Sequence, residues 1–198
     1  MAQKQNEDRE LVKLSQGGDK EAYRQLVEKY QSRAFSIAYD IVRVREDAED
    51  IVQEAFVKAY LSLSKFQGKS AFYTWFYRIV YNMCIDFKRK VKRRGEVNGP
   101  AGELELNTSE PDTSYTGERS ESPQELVETR DQLRLLNSAL LLISDEHRAV
   151  MMLREVDGMS YDRIAEITGV SKGTVMSRLH YARKSLQKAM QEMNPSEL

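Results

Sequence analysis

From Asp8 to Lys90 apolar residues return at intervals of three and four, and no stretch of the chain alternates strictly between apolar and polar. A recurrence near 3.6 gathers apolar side chains on one side of a helix, whereas a strand needs a period of two. The pattern predicts helices throughout. The Gly17-Gly18 pair predicts a helix end just before an N-cap at Asp19. Glu46 to Phe56 predicts a helix burying Ile51, Val52, Ala55, Phe56 and Ala59, with Asp47, Asp50 and Glu54 outside. Phe72 to Phe87 predicts another, with Phe72, Trp75, Phe76, Ile79, Val80, Met83 and Phe87 as its apolar face. Periodicity is lost after Arg94 and returns over Leu126–Ile143, Glu146–Val156 and Ser160–Ile167. It continues in a last helix capped by Ser171, with Val175, Leu179, Ala182, Leu186 and Met190 on one face.

Between the two helical zones the composition changes. Residues 95–125 hold three of the four prolines, four of the ten glycines, and eight acidic residues against one basic, Arg119. Such a stretch buries too little apolar surface to offset its ordering entropy, which predicts a flexible acidic linker. The expected fold class is all-α. A helical bundle over 1–94 and a four-helix domain containing a helix-turn-helix over 126–198 are joined by the linker 95–125.

The overall charge is −1, with 30 basic and 31 acidic side chains, but this balance hides segregation that bears on partners. Gly169 is placed to stop the Ser160 helix, and Ser171 to cap the next one, which completes the parts of a helix-turn-helix. Its second helix presents Ser171, Lys172, Thr174, Ser177, Arg178, Tyr181 and Arg183. From Ile167 to Gln191 there are five basic residues and no acidic one. Phosphates select for that polarity, and a helix N-terminus adds a fixed attraction for anions. The alternative is a solvated basic helix in a small bundle.

The sixteen residues Phe72–Phe87 hold 7 of the 17 aromatics, and Lys88–Arg94 follow with six basic residues in seven. Tyr73, Tyr77 and Tyr81 recur every fourth residue. Aromatic surface beside a cationic track suits single-stranded nucleic acid. Tyrosines that cap a core with wet hydroxyls remain the competing reading. The preceding loop, Lys65–Ala71, is small and polar around Phe66 and has room for an unstacked base. The acidic face at Asp47, Asp50 and Glu54 is either solvated or meets a basic protein, since it would repel DNA.

No Walker loop, nucleophile–base set or paired catalytic carboxylates appear, and His147, His180 and the single Cys84 form no ligand cluster. No enzyme activity, cofactor or metal is expected. Cys84 borders an apolar face and reads as a small core residue. The lone cysteine fits a reducing compartment, the N-terminus lacks a signal-peptide core, and no apolar run is long enough to cross a bilayer. The expected location is the cytoplasm, without direct membrane insertion.

Three stretches together resemble the extracytoplasmic-function (ECF) class of bacterial sigma factors: Asp47–Phe56, Phe66–Asn82, and Ser160–Ala165 continuing through Gly173–Leu179. The resemblance covers nearly the whole chain. It implies an alternative sigma factor that binds core RNA polymerase at the β′ clamp helices and the β flap and directs it to promoter DNA, often in stress-responsive transcription. It implies that Asp47, Asp50, Gln53 and Glu54 dock on the β′ clamp. The −10 element would be taken as a melted single strand by Phe66, Lys69, Ser70, Ala71, Phe72, Tyr73, Tyr77, Asn82, Lys88 and Arg89. The helix from Ser171 would read the −35 duplex, and the linker would run toward the active-site cleft. An anti-sigma factor, often membrane-anchored in this class, is a further implied partner. Met176 and His180-Tyr181 depart from the basic residues common in the class, so the −35 preference does not transfer. Phe76 stands where leucine is common. An incomplete tryptophan wedge implies weaker melting and stricter promoter choice. Two other readings stay open: a dimeric helix-turn-helix repressor or activator, and an adaptor whose basic helices bind acidic proteins.

Overall fold

A computed structural model describes residues 2–97, 136, 138–140 and 142–193. Seven α-helices carry the fold among them: α1 (Ala2–Gln16), α2 (Lys20–Val42), α3 (Arg45–Ser62), α4 (Phe72–Val97), α5 (Asp145–Glu155), α6 (Tyr161–Thr168) and α7 (Lys172–Met193). A 3-10 turn, Leu63–Lys65, follows α3. No strand occurs among the described residues. The expected linker and most of the helix expected over 126–143 lie outside them, although Leu136 and Ser138–Leu140 are helical.

Local chemistry sets the helix ends. Gly17 donates its N–H to Lys13 O and Asp19 to Leu14 O, while Gly18 takes φ 95, so α1 closes at the glycine pair. The Asp19 carboxylate accepts from Glu21 N at 2.9 Å and Ala22 N at 3.1 Å, filling two of the donors a new helix leaves open. α2 ends on Arg43, which takes φ 64 without being glycine and donates its N–H to Tyr39 O. Ser144 caps α5 through His147 N, so that helix begins one residue before the expected Glu146.

α1 to α4 pack around Leu26, Ile37, Ile41, Ile51, Ala55, Phe56, Phe76 and Val80. Against them lie α5 to α7, whose own buried residues include Val150, Leu153, Ile164, Ile167, Val175 and Leu179. The two sets form one continuous apolar cluster. α5 lies on α2, and α6 lies on α4. Arg148, on α5, ties the seam. Buried at 2% exposure, it donates to Asp40 O, Ile41 O and Leu140 O, each at 3.1 Å, and it pairs with Asp145. Asp40 O and Ile41 O belong to the last turn of α2, where helical carbonyls have no partner of their own. Arg33 completes the seam with Nε 3.1 Å from the Asp157 carboxylate and a hydrogen bond to Asp157 O at 2.7 Å.

Two expected faces shift. On α4 the buried positions are Phe72, Thr74, Phe76, Tyr77, Val80, Tyr81, Cys84 and Ile85, whereas Trp75, Ile79, Met83 and Phe87 are only partly covered. The cause is a second cover: α2 and α3 take one side of α4 and α6 takes another, so the buried sector widens to include the tyrosines. On α7, Val175, Leu179 and Ala182 are buried as expected. At the far end Ala189 turns inward at 5% exposure and Met190 turns out at 36%.

Candidate nucleic-acid and polymerase interfaces

α6, the turn and α7 have helix-turn-helix geometry. Ser160 Oγ accepts from Arg163 N and starts α6. Gly169 ends it at φ 71, a left-handed conformation that an L side chain adopts only with strain. Two residues later Ser171 Oγ accepts from Thr174 N at 3.1 Å and meets Thr174 Oγ1 at 2.8 Å, starting α7. Val175 and Leu179 pin α7 to the core, which turns Ser171, Lys172, Ser177, Tyr181 and Arg183 to solvent with Thr174 and Arg178 half-buried. All seven residues expected at the −35 duplex thus lie along the first turns of one helix. Two are held by acidic neighbours, Lys172 by Asp162 at 3.0 Å and Arg183 by Glu155 at 2.5 Å. Both pairs are exposed and weak, so little holds either cation away from another anion.

The loop before α4 is pinned by Gln16, whose Nε2 donates to Leu63 O at 2.9 Å and Phe66 O at 3.0 Å. That anchor sets Phe66 against Trp75, centroids 5.0 Å apart, and edge-on to Phe72 at 6.2 Å. Lys69 is exposed, Ser70 and Ala71 are half-exposed, and Phe72 is buried at 3%. The structure therefore brings Phe66, Ser70, Ala71 and Phe72 to one aromatic corner, with Trp75 as an added wall.

The tyrosines lie elsewhere. Tyr77 is 1% and Tyr81 4% exposed, and Tyr73 is half-buried under the Arg163 guanidinium, 4.5 Å from the ring centroid. Tyr30 of α2 stacks on Tyr73 at 6.4 Å and meets Tyr77 edge-on at 6.1 Å. Burial pushes the Tyr81 hydroxyl above its ordinary value, opposed by the positive charge of Arg178 on α7. The expected open stripe is instead a seam. Asn82 and Arg89 are exposed, while Lys88 lies 3.7 Å from Asp145.

On α3, Asp50, Gln53 and Glu54 are exposed and Asp47 half-exposed. Burial raises the Asp47 carboxyl above the usual range, helped by the like charges of Asp50 and Glu46. Arg45 is engaged with Glu49 at 2.9 Å at the start of the helix. The face therefore keeps a local excess of negative charge. The apolar residues Val57 and Leu61, 61% and 74% exposed, continue it toward the C-terminus. Helical spacing from Glu54 carries the signal for them, yet charge alone marked the face in the sequence. Arg33, Arg148, Asp157 and Arg163, which hold the seam, carried no local signal because their partners lie far along the chain.

Among the described residues no cluster of His, Cys, Asp and Glu has the makings of a metal site, and no helix is long and apolar enough to cross a membrane. Cys84 is fully buried, and burial pushes its thiol up to about 12.

Comparison with known proteins assigns both helical sets. Residues 26–94 match the Sigma-70 region 2 family and residues 133–186 match Sigma-70, region 4. The RNA polymerase sigma-H factor of Pseudomonas aeruginosa is 35% identical over 194 residues, 96% of each chain. The ECF RNA polymerase sigma-E factor of Escherichia coli is 33% identical over 187 residues, 94% of this chain and 95% of that one. The fold is also that of CnrH, solved in complex with the cytosolic domain of CnrY, with a TM-score of 0.66 and 23% identity over 94% of this chain and 98% of the other. The sigma factor RpoE of Bartonella quintana, solved with the anti-sigma factor NepR, gives a TM-score of 0.62 at 23% identity over 85% of this chain and 96% of the other. A sigma factor is not itself an enzyme; it lends the polymerase its choice of promoter. With two region families in order and relatives above 30% identity along nearly its whole length, the chain belongs to the ECF sigma factors and directs RNA polymerase to promoter DNA.

Proposed function

We propose that residues 1–94 bind the polymerase clamp and capture the melted −10 strand, that 126–198 read the −35 duplex, and that 95–125 run between them toward the active-site cleft. The observation that carries this reading is the opposition of charge between two surfaces. The outer face of α3 is acidic and continues into exposed apolar residues, while the outer face of α7 is basic with its capped N-terminus free. The first fits a basic protein and the second fits phosphates.

In this assignment Asp47, Asp50, Gln53 and Glu54 meet the β′ clamp helices, and the C-terminal helices meet the β flap. Ser171, Lys172, Thr174, Ser177, Arg178, Tyr181 and Arg183 follow the major groove from the helix N-terminus. Phe66, Lys69, Ser70, Ala71 and Phe72 take an unstacked −10 base at the aromatic corner, with Asn82 and Arg89 beside the strand and Tyr73, Tyr77 and Lys88 on the same helix. The sigma factor RpoE of Bartonella quintana is solved in complex with the anti-sigma factor NepR, which supports an anti-sigma factor for this chain as well, held at a membrane or free. The partly covered Trp75 is the chain's single tryptophan, and the lack of a second one to complete a wedge supports weaker melting and stricter promoter choice.

The test is charge reversal on α3. Asp50→Lys with Glu54→Lys is expected to weaken core-polymerase binding by about a hundredfold or more. Both side chains are exposed, so unfolding stability is expected to move by about 0.5 kcal/mol or less. Unchanged affinity in the folded double variant removes this helix from the polymerase interface.

A further inference from the structure

Two hydrogen bonds join the last residue of α1 to the start of the loop assigned to the −10 base. Gln16 Nε2 donates to Leu63 O at 2.9 Å and to Phe66 O at 3.0 Å, across 47 and 50 residues of sequence. Both neighbours are carbonyl oxygens, so the amide end with two N–H groups is the one that must face them. The place of Gln16 is itself fixed. Val12 and Ser15 are buried on the inner side of α1, and the glycine pair stops the helix, with Asp19 N bonded to Leu14 O. Leu63, buried at 2% exposure, holds the 3-10 turn against the core. The amide therefore ties a fixed turn to the first carbonyl of a loop whose next residues, Gln67, Gly68 and Lys69, are exposed.

Gln16 is exposed, and it lies ahead of the residues 26–94 that match Sigma-70 region 2. Exposed hydrogen bonds replace equivalent bonds to water and add little to stability. What these two fix is direction. Because the peptide unit is planar, holding the Phe66 carbonyl constrains the chain on both sides of it. On one side is the Phe66 ring, 5.0 Å from Trp75 and edge-on to Phe72 at 6.2 Å; on the other is the run to Ala71. A loop held in its binding shape accepts a base without first losing freedom, and a loop that must be ordered by the base holds it less tightly.

We infer that Gln16 is a positioning residue for −10 recognition: its amide holds the Phe66 loop in the shape that accepts an unstacked base, so the reader of the melted strand extends to the end of α1. The inference rests on the base-capturing role proposed above for Phe66–Phe72. Gln16 acts through Phe66 rather than on DNA. Gln16→Glu keeps the side-chain length and replaces the donor with a carboxylate that repels both carbonyls. Gln16→Lys puts a donor back on a chain long enough to reach them.

The test uses holoenzyme assembled from core polymerase and the full chain. Its template is a promoter fragment recovered by run-off transcription and premelted across the −10 element by mismatches. Non-template bases of that element are replaced one at a time by abasic sites, and the affinity for the intact template is divided by that for each abasic one. With the wild type, one position is expected to give a loss of about tenfold, the scale of one base–ring stack. Gln16→Glu is expected to shrink that loss to about twofold or less, and Gln16→Lys to keep it near the wild-type value. A chain that merely folds less well, or that carries a different charge, binds both templates worse or better alike and leaves the ratio where it was. An undiminished loss in Gln16→Glu, or a loss in Gln16→Lys as small as in Gln16→Glu, overturns the inference and leaves base capture standing. No loss at any position with the wild type overturns base capture itself, and the inference with it. A second readout needs no DNA, because Trp75 is the chain's single tryptophan and lies against Phe66. Acrylamide quenching of its fluorescence in the free protein is expected to rise in Gln16→Glu and to return in Gln16→Lys. Equal quenching in all three proteins shows that the loop keeps its place without the amide, which also overturns the inference.

Discussion

Arg148 occupies an interior that would expel an isolated charge, and burial works against its protonated form. It stays charged because Asp145 sits beside it and three carbonyl oxygens take its donors. Two of those carbonyls end α2, so one side chain of α5 caps a helix more than a hundred residues earlier and at the favourable, negative end of its dipole. Arg148→Met leaves those oxygens unpaired and is expected to cost about 3 kcal/mol in urea unfolding; a loss below about 1 kcal/mol would show that the seam contributes little to the folded state. Nothing local in the sequence announces this role. Arg148 stands between the polar start of α5 and the apolar run Ala149–Leu153, and its partners at the end of α2 become visible only when distant helices meet. Asp19, Ser160, Gly169 and Ser171 were legible for the opposite reason, since each acts on residues within a few positions of itself.

At the scale of elements, the end of α2 and the start of α5 form a junction where carboxylates are held away from water. Burial pushes Asp40 up to about 6, with Arg43 and Arg148 opposing and Asp157 adding to the rise; Asp157 is itself raised by burial, with Arg33 opposing. A carboxyl whose folded value exceeds its unfolded one keeps its proton longer in the folded chain. Its contribution is therefore fully present below about pH 4 and is lost as the pH rises through about 6. Asp40→Asn is expected to gain on the wild type by about 2–3 kcal/mol between pH 4 and pH 7 in denaturant unfolding. A constant difference across that range contradicts the account of this junction. The same scale explains what α4 concealed. Its helical period, its aromatic content and its start at Phe72 were legible. Its rotation was not, because the second surface covering it comes from α6, some eighty residues further on. A periodic pattern reports one buried face well; where two surfaces cover a helix, the tyrosines between them read equally as exposed or enclosed.

For the whole molecule, the opposed charges of α3 and α7 lie on separate surfaces while the apolar faces of both helical sets merge into one cluster. The class of fold and the order of the helices followed from periodicity. The packing of the C-terminal helices onto α4 did not, since the composition of 95–125 permits any arrangement of the two sets. The central claim, that this chain gives RNA polymerase its choice of promoter, is tested most directly by run-off transcription from fragmented bacterial genomic DNA with purified core polymerase, with and without the protein. The account predicts discrete transcripts that require the protein and whose start sites share a paired −35 and −10 element. An absence of new transcripts, together with no co-migration of the protein with core polymerase on a sizing column, would contradict it.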